Sequence, residues 1–226
     1  QISQQTSLIL QNISLLNQTR RRLEEVNLLL DFSRQLSGMD PDAVIRSLLD
    51  SSRRVLQHAH AGMVLIWNSR FEMLVPRAVS GYADNESMLK IQYRSGEALP
   101  GNVFVNKIAR RVDEVKFARD YNLSPENLAL YRQATGGRLP VSSLLVPIVT
   151  SDQNLGLLVL DNFNTTSAFR PEDEVLLLSL AQQIALSLDN LRLVDATQER
   201  AGQLQALNNA SASLTSSLRS DQLINT

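Results

Sequence analysis

The clearest pattern in the chain lies between residues 142 and 194, where two short apolar runs precede a stretch of helical periodicity. The runs Leu144 to Val149 and Leu155 to Leu160 flank a polar tetrapeptide, Ser-Asp-Gln-Asn, that is typical of a turn, so they predict two paired strands. Pro171 and the three acidic residues after it favour a helix start. The apolar residues that then recur at helical spacing are Val175, Leu178, Leu180, Ile184, Leu188 and Leu191.

Four further segments have the apolar content or the alternation of strands. Gly62 to Trp67 and Phe71 to Ser80 are separated by the turn-like Asn-Ser-Arg. Met88 to Arg94 alternates apolar and polar residues, and Asp113 to Phe117 is a shorter candidate. The segment from Gly81 to Ser87 is predicted to be a loop.

Capping residues mark three shorter helices. Asp40 followed by Pro41 predicts a helix that runs to about Gln57, and Ser124 followed by Pro125 predicts one that ends at the Gly-Gly pair of residues 136 and 137. A third short helix is predicted over 102–111.

The first 37 residues contain neither glycine nor proline and carry an apolar residue every seven positions. This spacing predicts a coiled-coil-like linker helix, and two arrangements stay open for it: pairing with a second copy, or packing on its own domain. A similar seam is predicted in the last 32 residues of the chain. The seam positions are Ile2, Ile9, Leu16, Leu23, Leu30, Leu204, Leu207, Leu214 and Leu218.

The two ends of the chain resemble each other when the first 36 residues are shifted by 178 positions. The pair Gln4-Gln5 and Asn12 then fall on Gln182-Gln183 and Asn190. We therefore expect one full unit of a tandem array within a longer protein. Its predicted parts are a linker helix over 1–37, a domain over 38–194, and a helix over 195–226 that leads into a following domain.

Composition and charge argue against several functional classes of protein. The 226 residues carry a net charge of −1 with acidic and basic residues mixed, which argues against a nucleic-acid partner. The sequence contains no cysteine, which removes disulfides, thiolate metal sites and thiol catalysis. No apolar run is long enough to predict membrane contact, so a cytoplasmic location is expected for this segment; membrane attachment of a longer protein is left open.

The segment from residue 142 to 194 resembles the C-terminal half of a GAF domain. The resemblance rests on Val146-Pro147-Ile148, Gly156 to Leu160, Phe169 with Asp173-Glu174, Gln182-Gln183 and Asn190-Leu191. It implies an α+β fold: an antiparallel sheet of five to six strands with helices on both faces, flanked by long terminal helices.

The same resemblance implies a ligand pocket roofed by the segments over 99–135. The Gly-Glu-Ala-Leu-Pro-Gly run of 96–101 is similar to the family segment beside that pocket, where free backbone N–H groups at Gly101 and Asn102 could meet a ligand. A glycine turn required by the fold alone is the alternative. The candidate ligand-binding residues are Tyr93, Leu99, Gly101, Asn102, Phe104, Phe117, Tyr121 and Tyr131.

Catalysis finds little support in the sequence. The only histidines, His58 and His60, form no nucleophile–base set, and metal or haem binding by this close pair is disfavoured. The GAF subgroups that reduce methionine sulfoxide or attach a bilin use cysteines, so both chemistries are excluded. Cyclic nucleotide is disfavoured because Asn162 is followed by Phe163 where nucleotide-binding members have lysine. We therefore name no catalytic residue, metal or cofactor.

The resemblance implies a non-catalytic sensory module of a bacterial signalling protein, such as a two-component sensor histidine kinase. Such a module binds a small molecule, or relays a signal, through flanking helices to an output domain. The expected partners are an unknown small molecule, a second copy in a parallel homodimer, and neighbouring GAF or kinase domains of the same chain. The alternative is a ligand-free dimerisation and spacer domain, and an enzyme with an unrecognised site is a third, weaker hypothesis.

Overall fold

A computed structural model of the protein describes residues 40–191 and 193. The chain divides into two compact units, Gln1–Ser187 and Leu188–Thr226. The described residues of the second unit, 188–191 and 193, are helical. The predicted linker helix, the final helix, their seam positions and the matching ends of the chain lie outside the described residues.

The described part of the first unit is built on one sheet of six strands, in the order β3-β2-β1-β6-β5-β4, with every neighbouring pair antiparallel. The strands are β1 (Ala61–Asn68), β2 (Met73–Ser80), β3 (Tyr93–Arg94), β4 (Arg110–Val112), β5 (Ser142–Val149) and β6 (Asn154–Asn162). This confirms the predicted α+β class and the hairpin of the two apolar runs.

The described residues form six helices besides the sheet: α1 (Pro41–Val55), α2 (Asn85–Met88), α3 (Ala98–Asn106), α4 (Phe117–Asp120), α5 (Pro125–Ala134) and α6 (171–191). Two of the predicted caps are confirmed. The Asp40 carboxylate accepts a 2.8 Å hydrogen bond from the Ala43 N–H, and the Ser124 hydroxyl accepts one of 3.2 Å from the Asn127 N–H.

The alternation of side chains along the strands gives the sheet two buried faces. One face carries Met63, Leu65, Leu145 and Val159, and it is covered by the chain between β2 and β5, which contains α2 to α5. The opposite face buries residues of even number in the same strands, and α1 packs against β1 and β2. The central strands β1 and β6 therefore contain the apolar runs 62–67 and 155–160 that the sequence predicted.

Helix α6 buries only part of the predicted stripe: Leu180 and Ile184 were predicted, and Leu177 was not. Leu177, Leu180 and Ile184 are fully buried, whereas Val175 and Leu178 are 58% and 37% exposed. The apolar residues of this segment occupy more than one helical face, and spacing alone did not identify the face that meets the core.

Four predicted segments in the middle of the chain were wrong in type or in bounds. The predicted strand Met88 to Arg94 is paired only at Tyr93–Arg94, because Asp84 caps α2 and the N–H groups of residues 88–91 donate within helical turns. The predicted loop before it therefore contains a helix. The predicted strand Asp113 to Phe117 lies earlier, at Arg110–Val112, and the predicted helix over 102–111 begins at Ala98 and ends at Asn106.

The two outermost strands are much shorter than their neighbours. β3 pairs with β2 only as far as Leu74, and Pro76 follows two residues later. β4 pairs with β5 only as far as Leu145, and Pro147 again follows two residues later.

A buried cluster of tyrosines around Asp161

An acidic side chain lies at the centre of the face covered by α2 to α5. Asp161 is in β6, directly opposite Ser143 of β5, and its side chain is fully buried. The Ser143 hydroxyl donates a 2.6 Å hydrogen bond to its Oδ1 atom, and the Tyr82 hydroxyl donates one of 2.6 Å to its Oδ2 atom. Each carboxylate oxygen therefore has one protein donor.

No basic side chain of the described residues contacts this carboxyl group. Burial raises the pKa of Asp161 above its ordinary value of 3.8, and the hydrogen bonds from Ser143 and Tyr82 oppose that rise. A cation would be the usual partner of so deeply buried an acid, and the described residues do not supply one.

Three more buried tyrosines, Tyr93, Tyr121 and Tyr131, lie close enough to Asp161 to sense its charge, and all are 0% exposed. The Tyr93 and Tyr131 hydroxyls have no hydrogen-bond partner among the described residues, whereas the Tyr121 hydroxyl lies near that of Ser143. Burial raises the pKa of each of these hydroxyls above 10, and the negative charge of Asp161 adds to the rise. All three therefore stay neutral, and Asp161 is the only source of charge in the cluster.

Stacked rings hold these tyrosines in place. Phe117 of α4 lies with its ring centroid 4.9 Å from those of Tyr121 and Tyr131, and the two tyrosine rings are 5.6 Å apart. Aromatic contacts of this kind fix ring positions without using the hydroxyl groups. The rings of Tyr121 and Tyr131 thus belong to a well-packed aromatic layer.

An open groove of about 590 Å³ lies outside the cluster, between α3 and the segment that contains α4. Val103 both lines the groove and belongs to the core beneath it. Asp120 and Asn122 line the other wall, on either side of the buried Tyr121. The 2.7 Å hydrogen bond from Arg119 lowers the pKa of Asp120, so this wall carries an ion pair.

The predicted site residues fall into three groups. Tyr93, Tyr121, Tyr131 and Phe117 form the cluster, and Leu99 and Asn102 line the groove. Phe104 stacks on Trp67, with ring centroids 4.7 Å apart, and its ring is therefore occupied in the core.

Gly101 does not have the predicted free backbone N–H. That group donates a 2.9 Å hydrogen bond to the Glu97 carbonyl, because α3 begins three residues before Gly101. A Cβ atom at this position would lie 2.4 Å from the Arg94 carbonyl oxygen. The fold alone therefore requires this glycine, as the alternative interpretation held.

Sequence reasoning missed Asp161, Ser143 and Tyr82. The first two were hidden at the ends of apolar runs, where a polar residue is easily read as the strand boundary. The usable signal was a carboxylate that continues the alternation of Leu157 and Val159 on the inward face of β6.

The two histidines have structural partners. His60 Nδ1 accepts a 3.0 Å hydrogen bond from the Phe163 N–H, and burial together with the nearby Arg138 lowers the pKa of His60. His58 Nε2 lies 3.2 Å from the Asp173 carboxylate. Among residues 40–191 and 193, no group of three or more His, Cys, Asp or Glu side chains is arranged to hold a metal ion.

A six-stranded antiparallel sheet with α1 on one face, and a roof of short helices over a polar cluster on the other, defines a class of small α+β domains. Within that class the chain belongs to the GAF domain family, whose model matches residues 40–188. No curated protein matches the chain closely enough to count as a relative.

Solved structures with the same fold come from several kinds of bacterial protein. The GAF domain of a Coxiella burnetii phosphoenolpyruvate-protein phosphotransferase has a TM-score of 0.63 at 19% identity, covering 77% of this chain and 98% of that one. The GAF domain of a putative sensor histidine kinase from Pseudomonas syringae pv. tomato gives 0.56 at 22%, with coverages of 81% and 97%. A free methionine-R-sulfoxide reductase from Neisseria meningitidis, solved with its substrate, gives 0.58 at 15%, with coverages of 75% and 91%.

No helix among the described residues is both long enough and apolar enough to cross a membrane.

Proposed function

We propose that this chain is a non-catalytic sensory module that binds a small molecule at the cluster around Asp161 and relays its occupancy to an output domain. The observation that carries the proposal is the pair of fully buried hydroxyls without partners, those of Tyr93 and Tyr131, near a buried acid. Buried polar groups in native proteins are nearly always paired, so unpaired ones mark a place where another molecule belongs.

Unpaired buried hydroxyls destabilise the protein when no ligand is bound. Each unpaired buried hydroxyl costs about 1–3 kcal/mol relative to a paired one. Tyr93 and Tyr131 together therefore represent a cost of about 2–6 kcal/mol, which a polar ligand or ordered water would remove. Phenylalanine would fill the same space without that cost, so the hydroxyls favour a binding role over simple packing.

The proposed relay role is supported by the kinds of signalling protein in which similar folds occur. Similar folds occur in a putative sensor histidine kinase and in a methyl-accepting chemotaxis protein. We take a kinase as the output domain and the cytoplasm as the location, both as parts of the proposal. The reductase with this fold does not alter the assignment, because the present sequence lacks cysteine and the cluster contains no nucleophile–base pair.

A thermal-shift screen of the 226-residue chain against nucleotides and metabolites tests this proposal. A ligand of the native state should raise Tm, and Tyr131→Phe should reduce that rise if the ligand uses the unpaired hydroxyl. Asn106→Ala is a control in the groove wall that leaves the cluster intact. Binding that survives changes at Asp161 and at all three tyrosines would place the ligand elsewhere.

A ligand-free dimerisation and spacer domain is the second candidate, favoured by the outer face of α6. Val175, Leu178 and Leu186 are 58%, 37% and 50% exposed on that helix. Light scattering should find a dimer, and Leu178→Glu with Leu186→Glu should dissociate it. Ile108→Glu, at an apolar position outside α6 that is 70% exposed, is the control. A monomer at high concentration would remove this candidate, and the parallel homodimer with it.

The predicted linker seam is testable in the same way. Leu16→Glu with Leu23→Glu should dissociate the dimer and leave the sheet domain folded. Unfolding of the sheet domain would instead assign those leucines to its core.

A further inference from the structure

We propose that the open groove between α3 and the segment that contains α4 is a second ligand site, which takes a small carboxylic acid with a short apolar chain. The groove lies outside the Asp161 cluster, so this inference does not rest on the function proposed above. It follows from the room in the groove, from its charge and from the apolar residues along it.

The groove has room for such a molecule. Its volume is about 590 Å³, within the range of roughly 300–1,000 Å³ that is usual for small-molecule sites. The residues that line it belong to one continuous part of the chain, 96–122, which folds back so that α3 forms one wall and the chain around α4 forms the other. Asn102, Asn106 and Arg110 are exposed there, so a molecule in solution can reach their side chains.

The lining of the groove has one positive charge in excess. Its charged residues are the bases Arg110 and Arg119 and the acid Asp120, whose side chain is only 8% exposed. Asp120 Oδ1 accepts a 2.7 Å hydrogen bond from Arg119 Nε, and its Oδ2 accepts one of 2.8 Å from the Lys116 N–H. These bonds, together with the charges of both arginines, lower the pKa of Asp120 and keep it ionised at neutral pH. One guanidinium is therefore balanced by an acid, and the other is not.

The excess charge suits a single carboxylate. Among the described residues the Arg110 side chain has no hydrogen-bond or ion-pair partner, and Arg119 uses only its Nε atom for Asp120. A guanidinium can donate two parallel hydrogen bonds to one carboxylate. A monoanion would balance the excess charge, whereas a dianion such as phosphate would place further negative charge beside Asp120.

The other wall of the groove is uncharged and partly apolar. Leu99 and Val103 of α3 line it, and Ile108 stands beside them with 70% of its side chain exposed. Asn102 and Asn106 each donate from Nδ2 to the carbonyl four residues earlier, at 2.7 and 2.9 Å, so their amides are held along the helix. An apolar chain would cover Ile108 while the carboxylate meets Arg110, and this division gives the ligand one orientation.

A second groove, of about 810 Å³ beside β3, does not favour a class of ligand. The bases Lys90 and Arg94 line it together with the acids Glu97 and Glu126, so its charges balance. The excess of positive charge therefore distinguishes the groove beside α3.

Matched probes test the site by NMR titration of the full 226-residue chain. Isovalerate should bind with a Kd of about 1 mM or lower and should shift the amide signals of the groove residues. Isovaleramide has the same shape without the charge, and acetate has the charge without the apolar chain. Both should bind at least about tenfold more weakly.

Substitutions in the groove should change the affinity in opposite directions. Arg110→Gln should weaken isovalerate binding about tenfold, because it removes a hydrogen bond between charged groups. Asp120→Asn should strengthen binding, because it removes the negative charge and keeps an acceptor for the Lys116 N–H. Ile108→Ser should weaken the binding of isovalerate and leave that of acetate unchanged. Arg46→Gln removes an exposed arginine from α1, on the opposite face of the sheet, and is the control.

The results distinguish this site from the Asp161 cluster. Binding that Arg110→Gln weakens, Asp120→Asn strengthens and Arg46→Gln leaves unchanged supports the groove. The proposal is overturned if isovalerate does not bind, if isovaleramide binds equally well, or if Arg110→Gln and Arg46→Gln cause equal losses. Tyr131→Phe should leave isovalerate binding unchanged, and a loss in that variant would place the acid at the cluster instead. Failure of the groove site leaves the function proposed for the cluster standing, because different residues test it.

Discussion

Tyr82 and Asp161 are joined by a 2.6 Å hydrogen bond at the centre of a fully buried cluster. The bond links the segment after β2 to β6, and it supplies one of two donors that the described residues give the carboxyl group. The Tyr82 hydroxyl therefore has a partner whereas the Tyr131 hydroxyl has none among the described residues, and this difference leads to a first test.

Removing a single oxygen should have opposite effects at Tyr82 and at Tyr131. Tyr82→Phe takes a donor from a buried carboxyl group and should lower the free energy of unfolding by about 1–3 kcal/mol. Tyr131→Phe removes an unpaired hydroxyl and should leave the free energy of unfolding unchanged or raise it. Urea unfolding at one pH measures both, and the two changes serve as controls for each other because the chemical change is identical. Equal losses would mean that the Tyr131 hydroxyl has a partner, such as an ordered water.

Asp161 should make the protein less stable as pH rises. Its folded pKa lies above 3.8 because of burial, so the native state binds more protons than the unfolded state between the two values. The stabilising contribution of Asp161 to the free energy of unfolding is therefore fully present at pH values below its unfolded pKa. It is lost as pH rises through its folded pKa.

The measurement compares wild type with Asp161→Asn by urea unfolding at a series of pH values. Subtraction is needed because Asp84 and Asp120, whose carboxyl pKa values are lowered by hydrogen bonds from Ser87 and Arg119, act in the opposite direction. The stability of wild type relative to the variant should fall as pH rises above 3.8. A relative stability that rises over that range would show that Asp161 has a hidden cationic partner.

Asp173 should stabilise the start of α6, whereas its neighbour Glu172 should not. The Asp173 carboxylate accepts a 2.7 Å hydrogen bond from the Arg170 N–H and lies 3.2 Å from His58. Asp173→Ala should therefore cost about 1 kcal/mol of unfolding free energy, as the loss of other helix caps does. Glu172→Ala changes an exposed acid at the preceding position and should cost less than about 0.5 kcal/mol. Similar costs for both would reduce the role of Asp173 to the general effect of charge at a helix start.

Alanine should be tolerated at Asn102 and rejected at Gly101, although both lie inside α3. A Cβ atom at Gly101 would lie 2.4 Å from the Arg94 carbonyl oxygen, so Gly101→Ala should cost roughly 1–3 kcal/mol despite its better helix propensity. Asn102 is exposed, and Asn102→Ala should change stability by less than about 0.5 kcal/mol. Thermal unfolding of both variants measures the difference. A harmless Gly101→Ala would mean that the segment before α3 can move away.

The parts of the fold that could be predicted from sequence were those fixed by local chemistry. The caps at Asp40 and Ser124 and the β5–β6 hairpin depend on neighbouring residues, and all three were located correctly. The segment from Met88 to Arg94 was wrong because a cap at Asp84 outweighed an alternating pattern of only seven residues.

The candidate site was harder to predict because its parts come from distant stretches of the chain. The aromatic members were expected from the family resemblance, and the cluster contains four of them. Asp161 and Tyr82 are 79 positions apart, and no local pattern indicates that one donates to the other. Which hydroxyls lack a partner is likewise a property of the packed interior, and periodicity carries no information about it.

The prolines beyond the two outer strands have a consequence for how copies of this domain can associate. Where β3 and β4 stop, β2 and β5 would each offer an unpaired backbone rim, but Pro76 and Pro147 lack the N–H group that an incoming strand needs. Strand addition along these rims is therefore blocked near its starting point. A chain that carries several such units in series would be protected against edge-to-edge pairing of its sheets. Its contacts with other copies would then be made by helices and loops.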